Sequence, residues 1–223
     1  MDHIWYFEQV DLIAILCPNK FGNYAGNHEI KSYEKEDFVY FSEDPAKNIF
    51  LISKGKVKIL NYTESGEIVV KSILTKGDIF GEMVLLGEEK RTDYAQVIEN
   101  DTMVCQMDIG QLEGLMLENK KFALTINKII GLRIKKLERR LDALVFKDVR
   151  TRLVEFIKDL SQESGTEKER GILVSHFYTH KDMADLIGTT RQTVTTILNE
   201  LKQEGMLEFK RKEIFIPDPG ALG

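Results

Sequence analysis

The sequence has few of the residues that build disulfide frameworks and metal clusters. Only two of its 223 residues are cysteines, Cys17 and Cys105, and they lie far apart in the chain. No C-x-x-C spacing can be formed from them, which excludes a cysteine-based zinc or iron-sulfur motif, and a secreted disulfide scaffold would carry more cysteines. We interpret Cys105 as a core residue rather than a reactive thiol.

The chain also lacks a long uncharged apolar run and the pattern of a signal peptide. No such run approaches the roughly 20 residues that cross a bilayer, and the first ten residues contain Asp2 and Glu8. A hydrophobic content of 43% is typical of globular domains, and the length suits one large domain or two small ones. We therefore expect a cytoplasmic protein with no membrane partner.

Positive charge is scarce over the chain as a whole, with 31 Lys and Arg against 36 Asp and Glu and a net charge of −5. Taken alone, this balance argues against a nucleic-acid partner. The excess of acidic residues lies in residues 1–118, however, whereas residues 119–146 carry 8 Lys and Arg against 2 Asp and Glu. The net charge therefore does not exclude DNA binding, and it predicts that specific contacts outweigh non-specific attraction.

Short apolar runs separated by turn sequences extend from residue 30 to residue 107. Gly55, Gly66 and Gly77 belong to the turns, and strands so short and so regularly spaced indicate an antiparallel sandwich or roll. A helical pattern over residues 3–16 precedes them. The predicted strands contain residues 38–41, 49–52, 57–60, 68–70, 79–80 and 103–104.

Residues 119–145 carry an uninterrupted helical pattern with one apolar stripe. The stripe advances by 4, 3, 4 and 3 positions, as in a coiled-coil seam, and basic residues occupy the other faces. It could be an amphipathic helix that covers the β part, or a parallel coiled coil of two chains. We favour the coiled coil, and hence a homodimer, because a single stripe among charges has few partners within one chain. The predicted interface is Ile130, Ile134, Leu137, Leu141 and Leu144.

A third part begins near residue 147 with a new amphipathic helix, followed by a polar segment over residues 161–171 that we expect to be an exposed loop. Helices are then predicted over residues 181–187 and 190–204, with Gly188 at the turn between them. Two short strands follow in residues 206–216. This order predicts a winged helix-turn-helix.

The second helix of this pair has a polar face that suits DNA reading. Thr190 is a suitable N-cap, which puts Arg191 and Gln192 in the first turn, where recognition helices meet base edges. An ordinary solvated face is the alternative; against it, no acidic side chain occurs from residue 191 to 199, and a basic hairpin follows. The predicted base-reading residues are Arg191, Gln192, Thr195 and Thr196. The predicted backbone contacts are Thr179, Thr190, Lys210, Arg211 and Lys212.

Four local strings and the order of parts resemble the CRP/FNR family of bacterial transcription regulators. The strings are GDIFGEM at residues 77–83, Arg91-Thr92, FKDV at residues 146–149 and TRQTV at residues 190–194. The resemblance implies an α+β protein with three parts. They are an antiparallel, jelly-roll-like β-roll similar to cyclic-nucleotide-binding domains (residues 1–118), a dimerisation helix (residues 119–146) and a winged helix-turn-helix DNA-binding domain (residues 147–223).

In members that bind cyclic nucleotides, a Gly-Glu pair contacts the ribose and an Arg followed by Ser or Thr holds the cyclic phosphate. The resemblance assigns these roles to Gly81, Glu82, Arg91 and Thr92. Alternatively, Arg91 pairs with a nearby glutamate in a roll that is empty or holds another ligand. Asp93 adds a negative charge beside the proposed phosphate position. The effector thus stays open among cyclic AMP, another nucleotide or anion, and none.

The same resemblance limits the cofactors. Redox-sensing members hold an iron-sulfur cluster through several N-terminal cysteines, whereas Cys17 stands alone here, so no cluster is expected. Haem-binding members use His or Cys ligands, but the four histidines form no distinctive haem pattern, and we expect no haem. In the predicted recognition helix, Thr196 stands where a second Arg is common in the family, which predicts a different operator. The four histidines are His3, His28, His176 and His180.

The expected function is that of a homodimeric regulator, controlled by an effector at the β-roll, which binds a palindromic operator and has RNA polymerase as a partner. A nucleotide sensor without DNA-binding output is the alternative, although it would have no need of Arg191 or a basic wing. No nucleophile and base pair, metal-ligand cluster or phosphate-binding glycine loop is visible in the sequence. We therefore expect no enzymatic activity.

Overall fold

The computed structural model describes residues 29–220 and residue 222, without the side chains of Glu29, Lys121 and Thr125. The helix expected over residues 3–16 lies outside the described residues. Contacts divide the chain between residues 129 and 130 into two compact units. Within the described part, no helix is long and apolar enough to span a membrane.

The first unit contains eight strands in two antiparallel sheets, which confirms the predicted roll. The strands are β1 (Glu29–Tyr33), β2 (Phe38–Tyr40), β3 (Asn48–Lys54), β4 (Lys56–Tyr62), β5 (Ile68–Thr75), β6 (Ile79–Phe80), β7 (Tyr94–Val97) and β8 (Thr102–Asp108). Each sheet has four strands, in the orders β1-β8-β3-β6 and β2-β7-β4-β5. β1 and β7 were not predicted, because their short segments, EIKSY and YAQV, contain no apolar run.

The core of the roll lies between the two sheets. Burial alternates along β7, because successive side chains of a strand point to opposite faces, whereas residues 49–52 of β3 are all buried. Ile52, Phe80 and Val104 come from one sheet, and Val57 and Ala95 come from the other. Cys105 is also buried, as expected of a core residue.

Helices complete the first unit and continue into the second. A 3₁₀ helix, Glu82–Leu86, lies between β6 and β7, and α1 spans Ile109–Glu118. The Asp108 carboxylate caps α1 by accepting a hydrogen bond from the Gly110 N–H at 2.8 Å. α2 spans Lys120–Phe146 without interruption, which confirms the predicted long helix.

The second unit contains the last part of α2, three further helices and a four-stranded antiparallel sheet. The elements are α3 (Val149–Ser164), β9 (Gly165–Lys168), β10 (Gly171–Ser175), α4 (His180–Ile187), α5 (Arg191–Gln203), β11 (Glu208–Lys210) and β12 (Glu213–Ile216). The sheet order is β11-β12-β10-β9.

The prediction of a loop over residues 161–171 was wrong. Residues up to Ser164 belong to α3, and β9 pairs with β10. The strand β9 was missed because its exposed side chains have no apolar pattern.

Candidate functional site

α4 and α5 form a helix-turn-helix around Gly188. This residue ends α4 with φ +69°, a left-handed conformation that favours glycine. A Cβ at Gly188 would lie 2.6 Å from Cδ2 of Leu144, so the close approach also requires the absence of a side chain. Ala184, one turn earlier, is completely buried. The sequence prediction of this turn is confirmed.

Threonine side chains begin both helices. The Thr190 hydroxyl accepts a hydrogen bond from the Thr193 N–H at 3.1 Å, which confirms it as the N-cap of α5. At the start of α4, the Thr179 hydroxyl accepts from the Asp182 N–H, and the Asp182 carboxylate accepts from the Thr179 N–H. This capping box was not predicted, because the third residue of α4 is Asp182, whereas the usual motif has Glu or Gln at that position.

α5 has one buried and one exposed face. Arg191 and Gln192 lie exposed in its first turn, and Thr196 is exposed one turn later. The opposite face is buried, which fixes the side that α5 presents to a partner. The buried residues are Val194, Ile197, Leu198 and Leu201.

Thr195 lies at the edge of the exposed face and is half-buried. Its hydroxyl donates to the Arg191 carbonyl at 2.9 Å, and its Oγ1 lies 2.9 Å from Nδ1 of His180 in α4. Burial, and secondarily the Arg191 charge, lower the pKa of His180 below 6.5. This contact was not predicted from the sequence, because the two residues lie 15 positions apart on different helices.

The hairpin of β11 and β12 forms a basic wing. Lys210, Arg211 and Lys212 are exposed at its tip, while Ile214 and Ile216 of β12 are buried. These basic side chains are therefore accessible to a phosphate backbone.

Two arginines join the end of α2 and the start of α3 to the end of α4. The Arg152 guanidinium donates to the carbonyls of Lys147 at 2.7 Å, Ile187 at 2.8 Å and Gly188 at 3.2 Å. Arg140 of α2 donates to the Asp185 carbonyl at 3.1 Å. Cations beside helix C-termini are favourable, and these contacts were not predicted from the sequence.

The predicted dimer residues lie along the described part of α2, and most are exposed in the single chain. Ile134, Leu137 and Leu141 have 52%, 59% and 61% of their surface exposed, and Leu144 is also exposed. Ile130 is half-buried. A line of exposed aliphatic side chains on one helix is an unfavourable surface for an isolated chain.

The first unit brings Gly81 and Arg91 together. Arg91 is only 2% exposed, and its Nη1 donates to the Gly81 carbonyl at 2.9 Å while Nη2 donates to the Asn48 carbonyl. Its guanidinium carbon lies 4.7 Å from the Tyr40 ring centroid and 5.5 Å from that of Phe50. Within the described residues, backbone carbonyls and aromatic rings are therefore its partners, where the sequence suggested a phosphate or a glutamate.

The polar side chains next to Arg91 in the sequence also form hydrogen bonds and an ion pair. Thr92 donates its hydroxyl hydrogen to Glu88 at 3.0 Å. Asp93 accepts from the Tyr40 hydroxyl at 3.0 Å and lies 3.3 Å from Lys71 Nζ. Burial and Asp93 raise the pKa of Tyr40, which keeps its phenol protonated.

Gly81 and Glu82 lie at the start of the 3₁₀ helix. Gly81 has φ +74°, and a Cβ there would lie 2.9 Å from Arg91 Nη1, so its lack of a side chain makes room for the guanidinium. Over the described ranges, no group of three or more His, Cys, Asp and Glu residues is placed to hold a metal ion.

Comparison with known proteins assigns both units. Residues 30–119 match the cyclic nucleotide-binding domain, and residues 151–223 match the Crp-like helix-turn-helix domain. The chain belongs to the CRP/FNR family. It is accordingly a DNA-binding transcription regulator of the CRP/FNR type.

Relatives within the CRP/FNR family match most of the chain. The global nitrogen regulator of Nostoc sp. is 28% identical over 194 residues, which cover 86% of this chain and 87% of that protein. A CRP-like cAMP-activated global transcriptional regulator of Mycobacterium tuberculosis is 26% identical over 184 residues, 82% of each chain. A mutant of CooA from Carboxydothermus hydrogenoformans has a similar structure, with a TM-score of 0.80, 26% identity, and coverage of 99% of this chain and 97% of that one.

Proposed function

We propose that this CRP/FNR regulator is a homodimer that binds a palindromic operator through two copies of α5. The exposed face of α5 carries the proposal: Arg191, Gln192 and Thr196 are accessible there, and the opposite face is buried. The wing supplies Lys210, Arg211 and Lys212 for the phosphate backbone. With this target, we expect the protein to work in the cytoplasm, in contact with RNA polymerase and without catalysis.

The exposed stripe of α2 supports the dimer. Two parallel copies of α2 would bury the aliphatic side chains of both chains, in the manner of a coiled coil. A symmetric dimer presents two identical recognition helices, and such helices enter successive major grooves about 34 Å apart. A palindromic DNA site is the matching target.

Selection of operators from random DNA, followed by gel shifts, tests the proposal. We expect a palindrome, and we expect Arg191→Ala to weaken binding by about 10- to 100-fold per half-site, because each bidentate Arg–guanine pair contributes roughly 1–3 kcal/mol. Arg170→Ala, at an exposed position between β9 and β10, is the control and should bind normally. An unpaired half-site, or unchanged binding by Arg191→Ala, would refute the proposal.

We further propose three functional parts: a β-roll sensor (residues 1–118), a dimerisation helix (residues 119–146) and a DNA-binding domain (residues 147–223). α2 links the two compact units as one continuous helix, so a change at the roll can alter the position of α5 in the dimer. An effector acts only if it binds the two arrangements with different affinities.

For the effector, we propose a small anionic molecule bound near Gly81, Glu82, Arg91 and Thr92. Arg91 fits an anion only if it releases the carbonyls of Gly81 and Asn48, which lowers the expected affinity for a cyclic phosphate. Calorimetry with cyclic AMP, cyclic GMP and small dianions tests this proposal. Thr92→Val, which removes one hydroxyl, should weaken binding, and Lys90→Ala should not; equal binding by both variants would refute the assignment.

A further inference from the structure

Thr195 is a predicted base-reading residue whose hydroxyl already forms hydrogen bonds within the protein. A hydroxyl has one hydrogen to donate, and that of Thr195 goes to the Arg191 carbonyl at 2.9 Å. The contact of 2.9 Å between Thr195 Oγ1 and His180 Nδ1 must then carry the hydrogen of the imidazole. His180 therefore donates through Nδ1, and the Thr195 oxygen both donates and accepts within the protein.

The His180 ring is held in place from the wing. Its centroid lies 5.8 Å from that of Phe209 in β11, with the rings inclined by 61° in an edge-on contact. Lys202 Nζ lies 5.8 Å from the same Phe209 ring. Burial, and secondarily the Arg191 charge, lower the pKa of His180, which favours the neutral imidazole with a single N–H. Contacts thus run from β11 through α4 to the reading face of α5.

We propose that His180 is a positioning residue that holds the Thr195 hydroxyl against α4, so that Thr195 presents its methyl group to DNA and favours thymine. The proposal rests on the proposed reading of bases by α5. Thymine carries a C5-methyl group at its major-groove edge, and apolar contact with a threonine methyl is an established way of recognising it. The hydroxyl, whose oxygen is bonded on both sides, contributes little to the base contact.

Deoxyuridine provides a direct test, because it differs from thymidine only in lacking the C5-methyl group. Each thymine of the selected operator is replaced in turn by uracil, symmetrically in both half-sites. We expect one position at which wild-type affinity falls about fourfold per half-site, the loss expected for one buried methyl group. If no position responds, the proposal is wrong.

Two variants of Thr195 separate the methyl from the hydroxyl. Thr195→Val has a methyl group in both branches of the side chain, so one methyl faces the base without any bond to His180. This variant should still distinguish thymine from uracil at that position. Thr195→Ser keeps the hydroxyl and lacks the methyl, so it should bind both operators equally. The opposite pattern would show that the hydroxyl reads the base, and it would overturn the proposal.

The role of His180 is tested by a matched pair of variants. His180→Asn can place an amide N–H near the position of Nδ1 and should keep the preference for thymine. His180→Phe keeps an aromatic ring against Phe209 but has no donor, and it should lose the preference. Thermal melting of both variants reports folding separately; a preference that survives in well-folded His180→Phe refutes the positioning role.

Failure of this inference is distinguishable from failure of the proposed function. If wild-type protein binds no palindrome, or if Arg191→Ala binds normally, the reading of DNA by α5 is wrong. If operator binding depends on Arg191 while uracil substitution has no effect, only the Thr195 contact is wrong.

Discussion

Arg91 is a charged residue enclosed by the roll, with its guanidinium against the rings of Tyr40 and Phe50. Its motif could be found in the sequence. Its partners could not be predicted, because Asn48 lies 43 residues away and contributes a backbone carbonyl, which every residue type has. The structure thus adds a stabilising role to a position that the sequence assigns to effector binding.

We expect Arg91→Ala to lower the free energy of unfolding by about 3 kcal/mol, because two partly buried carbonyls lose their donor and the buried side chain leaves a cavity. Urea unfolding of the full chain measures the change. Lys90→Ala is the control: Lys90 is exposed and pairs with Glu43 at the surface, so its loss should be within about 0.5 kcal/mol. Equal effects of the two substitutions would contradict the stabilising role.

His176 predicts how stability depends on pH. Burial, and secondarily His180, lower its pKa below the ordinary value of 6.5. At pH values between the lower pKa of the folded chain and the pKa of 6.5 of the unfolded chain, the unfolded chain binds more protons. The free energy of unfolding should therefore fall as the pH drops through 6.5, and it should level off below the pKa of the folded chain. The lowered pKa of His180 makes stability change with pH in the same direction.

Asp148 has a pKa below its ordinary value of 3.8, because it accepts hydrogen bonds from Thr151. The stability that its charged form contributes is therefore lost only in stronger acid.

The measurement is the free energy of unfolding at about pH 7.5, 6.5 and 5.5. We expect a decrease towards the acid end for the wild type and a smaller decrease for His176→Gln, which cannot gain a proton in this range. An identical slope in both proteins would show that His176 does not cause the loss.

At the scale of elements, the periodic spacing of apolar side chains predicted the helices well. α2, α3, α4 and α5 follow the helical spacing of apolar residues, and each was predicted within a few residues of its observed ends. β9 was missed because a strand held by backbone pairing to β10 needs no apolar pattern. Its existence depends on residues elsewhere in the chain.

Arg152 of α3 donates to the carbonyls of Lys147, which follows α2, and of Ile187 and Gly188 at the end of α4. Arg152→Ala should therefore lower the free energy of unfolding of the second unit by about 2 kcal/mol. Its guanidinium supports both the end of α2 and the turn before α5, so operator affinity should fall as well. Thermal unfolding and gel shifts measure the two effects. Arg170→Ala, which removes an exposed arginine, should change neither quantity. An unaltered Arg152→Ala protein would exclude this role.

At the scale of the whole molecule, the exposed stripe of α2 predicts the oligomeric state. Leu137→Glu puts a charge into the proposed seam and should convert the dimer into monomers, because charged side chains are unfavourable at core positions of a coiled coil. Sedimentation velocity measures the change. Operator affinity should fall at least about tenfold, since a monomer contacts one half-site.

Lys135→Glu is the matched control, because Lys135 lies exposed on α2 outside the seam and its substitution also introduces a glutamate. We expect this variant to stay dimeric. Since Leu137 is 59% exposed in the single chain, its substitution should not unfold the monomer. A Leu137→Glu protein that sediments as a dimer would place the interface elsewhere.

The sequence by itself determined helices α2 to α5 to within a few residues of their ends, the β-roll class, the helix-turn-helix and the exposed stripe of α2. Each of these depends on local spacing, which the order of residues carries directly. Only the tertiary structure decided the contacts of Arg91 with Asn48, of Arg152 with Ile187 and of Thr195 with His180. These residues lie 43, 35 and 15 positions apart, and the first two contacts are made to backbone carbonyls. Such contacts exist only once the chain has folded, so no local pattern encodes them.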